Sequence, residues 1–433
     1  MDSARTLIVG AGITGLSTAA ALSERGDTDY LVLEADSEIG GYCKTIKKEG
    51  FVWDYSGHFF HFKHPEIEAW LRARMPAQRI LNVVKKSFIA YKDRQIDFPF
   101  QKNIHQLPQD EFIDCLYDLY FARAPKELLG KYAPVQPMET GDDESFERML
   151  YARFGRSIAE KFLIPYNEKL YACDLGSLDK DAMGRFFPHA DLTDIIANMK
   201  VADNATYNAT FTYPEGGAIE YVKAIESAVR PGGIALSESL VSVDLDAKIA
   251  HTNKRDIRFE RLVSSMPFSR LLAVANVSHD PEDYSWNKVL VFNFGFDRKG
   301  QKDIHWMYFP DREVVFYRVG FYDNIFDTDR LSIYVEIGFA RDAIVDVAAV
   351  RARVLADLDK TGVTKGHSLV AEHHVVMNPA YVHITRRSMA EHARISTDLR
   401  ARDVYSIGRY GSWTYCSIED NIVEARGLVA SFG

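Results

Sequence analysis

Residues 5–26 read RTLIVGAGITGLSTAAALSERG, and this stretch decides the fold. An apolar, β-forming run reaches Val9. Gly10-Ala11-Gly12-Ile13-Thr14-Gly15 then matches G-x-G-x-x-G, and an Ala- and Leu-rich segment reads as the helix that follows. A second apolar run, Tyr30–Leu33, ends at Glu34, 19 residues after Gly15. The glycine pattern alone is weak evidence. Between a strand and a helix, with an acid closing the next strand, it reads as a dinucleotide-binding βαβ unit. Gly10 allows the tight turn, Gly12 lets backbone approach a pyrophosphate, and Gly15 lets helix and strand pack closely. The helix N-terminus offers unpaired N–H groups to the phosphates, and Glu34 is placed to accept from ribose hydroxyls. A glycine turn with no ligand is the competing explanation, and the flanking elements weigh against it.

Working outward, the 433 residues are 47% hydrophobic and carry a formal charge of −9. That length suggests two or three domains. The acidic balance argues against nucleic acid as a partner and against a polybasic membrane patch. No apolar run is long enough for a membrane-spanning helix. The first residues, MDSARTLIVGAG, lack a basic leader and cleavage site, so a cytoplasmic protein is expected. Cys43, Cys115, Cys173 and Cys416 form no C-x-x-C pair, which points to reduced thiols and to no metal site.

Residues 64–74 read as an amphipathic helix, and residues 110–200 are mostly helical by their spacing of three and four. The helical insert offers an interface for a homo-oligomer. Short strands follow Pro231-Gly232-Gly233. Residues 288–340 alternate like sheet, a helix is expected at 341–360, and the tail returns to a strand and a helix. One sheet segment, Val314-Val315-Phe316-Tyr317-Arg318-Val319-Gly320, reads as a strand interrupted by a guanidinium. A buried charge is costly without a counter-charge. Either Glu336 on a neighbouring strand, solvent, or a bound anion must meet Arg318.

Seven short motifs, in order along the chain, resemble those of the UDP-galactopyranose mutases, nearer the eukaryotic type. They are Ser56-Gly57-His58-Phe59-Phe60; Phe98-Pro99-Phe100-Gln101-Lys102-Asn103-Ile104; Ile164 to Ala172 (IPYNEKLYA); Gly184-Arg185; Asn208-Ala209-Thr210-Phe211; Tyr308-Phe309-Pro310 with Phe316-Tyr317-Arg318; and Gly408 to Tyr415 (GRYGSWTY). The acid-ended strand followed by Gly40-Gly41 resembles the wider two-dinucleotide-binding flavoproteins, which include amine oxidases, phytoene desaturases and protoporphyrinogen oxidases.

The resemblance implies an α/β protein: a Rossmann-like two-dinucleotide-binding FAD domain with a helical insert and an antiparallel β-sheet substrate domain. The expected division is 1–100 for the first part of the FAD-binding core, 101–205 for the helical insert and 206–240 for the return to the core. Further core strands then occupy 241–285, the substrate sheet 286–400, and the C-terminal FAD-binding strand and helix 401–433. It implies non-covalent FAD held by Gly10, Gly12, Gly15, Glu34, Gly41, Gly57, Gly408 and Arg409. NADPH or NADH would reduce it. Arg185 and Arg318 would grip the diphosphate of a nucleotide-sugar substrate, with His58 against the flavin ring. Gln101, Tyr171, Asn208, Tyr308, Tyr381 and Tyr415 would line the substrate site. The implied reaction contracts a pyranose to a furanose, as from UDP-galactopyranose to UDP-galactofuranose, through an adduct of the sugar on N5 of reduced flavin, with no net redox change.

This chain departs from the pattern at Tyr171, where the family has tryptophan, and at Ser56, where it has glycine. The family's tryptophan lines the uridine and sugar region, so the change at Tyr171 leaves the identity of the sugar and base open. The runner-up is an FAD-dependent amine oxidase or desaturase. It needs an apolar substrate tunnel and has no use for paired arginines. A non-catalytic nucleotide-binding protein is a third reading.

Overall fold

The computed structural model describes residues 1–122, 145–204 and 209–432. They form two compact units, each built from several stretches of chain. One comprises 1–82, 211–285 and 386–433; the other comprises 83–210 and 286–385. The helical insert and the second sheet, expected as separate domains, thus belong to one unit. Residues 83–100 also fall in that unit, and 386–400 in the first, where they form the helix Arg386–Arg400.

The first unit centres on a mostly parallel sheet. Strand Asp2–Val9 lies between Tyr30–Leu33 and Asp256–Ser264, and pairs with each in parallel. Ile234–Ala235 extends the sheet beyond Tyr30–Leu33, and Val404–Ser406 pairs in parallel with Asp256–Ser264. An antiparallel hairpin, Leu240–Asp244 with Ile249–Thr252, completes the other side. The strands are apolar on both faces because helices cover both. Helix Ile13–Glu24 is buried on nearly every side, since Ile418–Ala430 packs along it. Leu16 and Ile422 are fully enclosed, and each contributes about 1.5–3 kcal/mol by leaving water. Ser417 and Asp420 close a capping box at the start of Ile418–Ala430, which fixes the N-terminus of that helix.

The second unit holds a seven-stranded sheet. Its order is Leu369–Met377, Asn287–Phe296, Ser332–Ala340, Arg318–Phe321, Trp306–Tyr308, Ser87–Tyr91 and Arg94–Asp97. All neighbours are antiparallel except Trp306–Tyr308 with Ser87–Tyr91. Because side chains alternate along a strand, the register sorts residues by face. Leu290, Phe292, Val319 and Val335 join Val354 and Leu358 of helix Val347–Lys360 in an apolar core. The opposite face carries tyrosines, a tryptophan and charges. Helices Gln109–Phe121, Phe146–Ile158, Ile164–Tyr171 and Leu192–Lys200 also belong to this unit.

The stretch 314–320 is not a strand throughout. The backbone turns at Asp311–Val314, where Val314 N–H donates to Asp311 O, and the strand runs from Arg318 to Phe321. The β-forming residues before Arg318 are buried: Val314 and Phe316 join the apolar core, and Tyr317 bonds to its neighbours, its N–H donating to Glu336 O and its own carbonyl accepting from Phe309 N–H. The helix expected at 341–360 starts at Val347, where the Asp346 carboxylate caps it by accepting from Ala349 N–H.

Candidate functional site

In the first unit, the glycine turn at the end of Asp2–Val9 leaves room for a ligand's backbone-close approach. Gly10 has φ +100°, a conformation that side chains rarely adopt. A Cβ on Gly15 would stand 1.8 Å from the Gly10 carbonyl oxygen. One on Gly12 would meet only the Gly41 Cα, at 3.9 Å. Glu34 is fixed beside this turn, since one carboxylate oxygen accepts Ala11 N–H at 2.6 Å and the other accepts Asp36 N–H at 2.9 Å.

The C-terminal segment meets the same helix. A Cβ on Gly408 (φ +83°) would strike Thr14 Oγ1 at 2.4 Å. Asn421 Oδ1 accepts from Thr14 Oγ1 and from Arg409 N–H, both at 2.9 Å, and so ties the first glycine helix to the last one. The Arg409 guanidinium lies 4.7 Å from the Tyr415 ring centroid and donates to Cys416 O at 3.2 Å. Tyr415, expected to line the substrate site, lies in the segment 386–433 of the first unit. His58 Nδ1 is 3.1 Å from Ser56 O, within the turn that also contains Gly57; in the neutral ring Nδ1 is then the donor. A side-chain-free cradle, a helix N-terminus and a fixed acid are the donor set that a dinucleotide cofactor takes.

In the second unit, three residues form a row across three strands: Tyr308 opposite Arg318, and Arg318 opposite Glu336. Glu336 is 1% exposed and accepts a hydrogen bond from Arg318 Nε. The Arg318 side chain keeps 19% of its surface exposed. Burial works against its charge, but the Glu336 carboxylate outweighs it and holds the guanidinium protonated well above its ordinary range. The next row carries Trp306, Gly320 and Tyr334. Trp306 Nε1 donates to the Tyr334 hydroxyl across Gly320, where a Cβ would lie 1.9 Å from the Tyr334 ring. Glycine is required there by close approach, not by backbone angle.

Aromatic rings extend the site. Tyr308 stacks on Phe98 at 4.9 Å and meets the edge of Tyr166 at 5.5 Å. Burial pushes the Tyr308 phenol up to about 12, against the pull of Arg318, so it stays a donor. Tyr381 lies edge-on to Tyr171 at 6.0 Å, and its backbone N–H is held by Asn287 Oδ1 at 2.8 Å. Tyr171 is enclosed, between Phe146 and Tyr381. Gln101 is fully buried; its Nε2 donates to Pro188 O, while its Oε1 has no partner among the described residues. Arg185 lies exposed on the turn Gly184–Phe186, with its guanidinium 4.9 Å above the Phe186 ring. Asn208 lies outside the described residues.

Sequence reasoning missed Lys85. Its ammonium lies 5.0 Å from the Phe98 ring and 5.9 Å from the Trp306 ring. Burial, reinforced by the Arg318 charge, lowers its pKa to about 7. A lysine just before a short strand carries no pattern of its own; only the fold brings it to Arg318. Arg318, Lys85 and phenolic donors against one carboxylate make a face suited to an anion. All four cysteines are free. Among the described residues no helix is long and apolar enough to cross a membrane, and no group of three His, Cys, Asp or Glu is placed to hold a metal.

Comparison with known proteins fits this anatomy. The family described as flavin-containing amine oxidoreductase matches residues 13–399. A structure described as reduced UDP-galactopyranose mutase superposes with a TM-score of 0.89 at 22% identity, covering 99% of this chain and 95% of that one. Identity that low speaks for the fold alone. Protoporphyrinogen oxidase 1 of Spinacia oleracea is 26% identical over 184 residues, 41% of this chain and 31% of that protein. Coproporphyrinogen III oxidase of Staphylococcus aureus is 23% identical over 287 residues, 60% of each. The chain thus matches from about a third to three-fifths of the length of these two relatives. With a family match running over most of its length, a glycine cradle for the cofactor and the same fold from end to end, the chain belongs to the flavin-containing amine oxidoreductase family.

Proposed function

We propose that the protein is a nucleotide-sugar mutase that interconverts pyranose and furanose forms, with UDP-galactopyranose the first substrate to test. The observation that carries this reading is the row Tyr308–Arg318–Glu336 with Lys85 beside it. An oxidase of apolar or amine substrates has no use for two cations among phenolic donors. A diphosphate does.

FAD would be held by the glycine turn Gly10–Gly15 and by Glu34, and once reduced by NADPH or NADH it would supply a nucleophile for the anomeric carbon. The chain's own residues handle the leaving group. Negative charge grows on the β-phosphate as the bond to the sugar breaks, and Arg318 is fixed in advance by Glu336 to meet it. A guanidinium offers paired donors to a phosphoryl group, which an ammonium cannot. Because the cation is already oriented, no reorganisation is needed at the moment of reaction. Tyr308 adds a neutral donor. Held in place, the diphosphate returns to the rearranged sugar as an effectively unimolecular partner. Arg185, on its exposed turn, is the second cation the resemblance assigns to this task. Cytoplasmic location goes with a sugar-nucleotide substrate.

A second reading, an FAD-dependent oxidase, is favoured by the sequence relatives, which are porphyrinogen oxidases. One experiment separates the two. The enzyme is reduced with dithionite under anaerobic conditions and given UDP-galactopyranose, then a panel of other nucleotide sugars, and the products are resolved by chromatography. A furanose product without oxygen uptake supports the mutase. Peroxide formation with a porphyrinogen or amine, and no furanose from any nucleotide sugar, overturns it.

A further inference from the structure

Tyr317 immediately precedes Arg318 and is 0% exposed, yet its hydroxyl has no hydrogen-bond partner among the described residues. An unpaired buried hydroxyl costs about 1–3 kcal/mol, so native folds rarely leave one without a use. Its surroundings are unlike an ordinary core. The Arg318 guanidinium carbon lies 5.8 Å from the Tyr317 ring centroid, and Tyr166 packs edge-on at 6.0 Å. Glu336, Tyr381, Arg318 and Tyr166 all act on it electrostatically. Tyr317 N–H donates to Glu336 O at 3.1 Å, so the residue that fixes Arg318 also fixes the backbone of Tyr317. The ring cannot turn to water, because the chain around it is held by the sheet.

We propose that the Tyr317 hydroxyl is a further ligand-contacting group, which donates to the phosphoryl oxygen held by Arg318 and thereby satisfies itself only in the complex. This rests on the reading of the Arg318 face as a diphosphate site. Burial, the largest influence, and then the nearby Glu336 carboxylate keep the phenol protonated, far above its ordinary range, so it is a donor at any working pH. Adding a phenol rather than a third cation strengthens phosphate binding without trapping the diphosphate that must return to the sugar.

The test is Tyr317→Phe in the flavin-loaded protein, with two readouts. The first is thermal unfolding. Removing a hydroxyl that has no partner leaves the melting temperature unchanged or raises it, whereas a fall would mean a structural hydrogen bond and would overturn the proposal. The second is calorimetric titration with UDP, inorganic pyrophosphate and uridine. Loss of one hydrogen bond to a charged group weakens UDP and pyrophosphate about 10- to 100-fold, and leaves uridine unchanged. Equal UDP affinity in variant and parent overturns the inference while leaving the diphosphate site standing. A parent protein that binds neither UDP nor pyrophosphate removes that site, and the inference with it.

Discussion

Glu336 stands directly opposite Arg318 on the adjacent antiparallel strand and accepts the hydrogen bond from its Nε. A carboxylate on the neighbouring strand and a bound anion can therefore meet the same guanidinium. The carboxylate meets part of the charge and sets the direction of the rest. A buried ion pair is weak evidence of stability, but it is a good way to hold a guanidinium rigid.

Arg318→Lys keeps a positive charge for Glu336 and removes the planar fork. Turnover with the nucleotide sugar should fall about a hundredfold, the scale on which a single preorganised donor acts. Flavin content, read from the visible spectrum, should be unchanged. Near-parent turnover would take Arg318 out of the leaving-group role.

Glu336→Ala leaves the guanidinium without its counter-charge in a largely enclosed site. Breaking such a pair costs about 3–5 kcal/mol, measurable by urea unfolding. Glu336→Gln, which keeps an acceptor for Nε, should cost distinctly less. Equal losses in the two variants would show that the carboxylate charge has no part in holding Arg318.

The two glycines of the cofactor turn should behave differently. A Cβ at Gly15 would overlap the Gly10 carbonyl oxygen, at 1.8 Å, so Gly15→Ala should yield little folded protein. At Gly12 the nearest protein atom is 3.9 Å away, so Gly12→Ala should fold and yet lose flavin, because only the ligand's pyrophosphate needs that space. Full flavin content in Gly12→Ala would relocate the pyrophosphate.

Lys85 gives a pH signature. Its pKa falls from 10.5 to about 7, so between these values the unfolded chain binds the proton that the folded protein has lost. Stability from this group therefore rises as pH goes up through that window, with a slope of up to ~1.4 kcal/mol per pH unit. An anion favours the protonated lysine, so UDP affinity should instead fall as pH rises from 7 to 9. Lys85→Met should flatten both trends. Parallel pH profiles for parent and variant would show that Lys85 does not titrate there.

The cofactor unit was legible because its constraints are local. Gly10, Gly12, Gly15 and Glu34 lie within one βαβ stretch, and each answers to a steric or hydrogen-bonding need visible in sequence. The tyrosine-lined face was legible only through motif resemblance. Tyr308, Arg318 and Glu336 meet through the register of three successive strands; Glu336 could be named as a partner for Arg318, but neither propensity nor period fixes which residues stand opposite one another. The start of the Arg318 strand was misjudged because Val314, Phe316 and Tyr317 favour strands by composition, while tertiary packing uses them as core. Lys85 was invisible for the same reason: what lowers its pKa is the burial and the neighbouring charge that the fold imposes.

The most direct test is positional isotope exchange with UDP-galactopyranose carrying ¹⁸O in the bond between the anomeric carbon and the β-phosphate. With reduced enzyme under anaerobic conditions, the expected result is redistribution of the label between the bridging and non-bridging β-phosphate oxygens, because the diphosphate leaves, turns within the grip of Arg318 and returns. Label that stays in the bridge while furanose forms would contradict the departure and return of a diphosphate that turns on the Arg318 face.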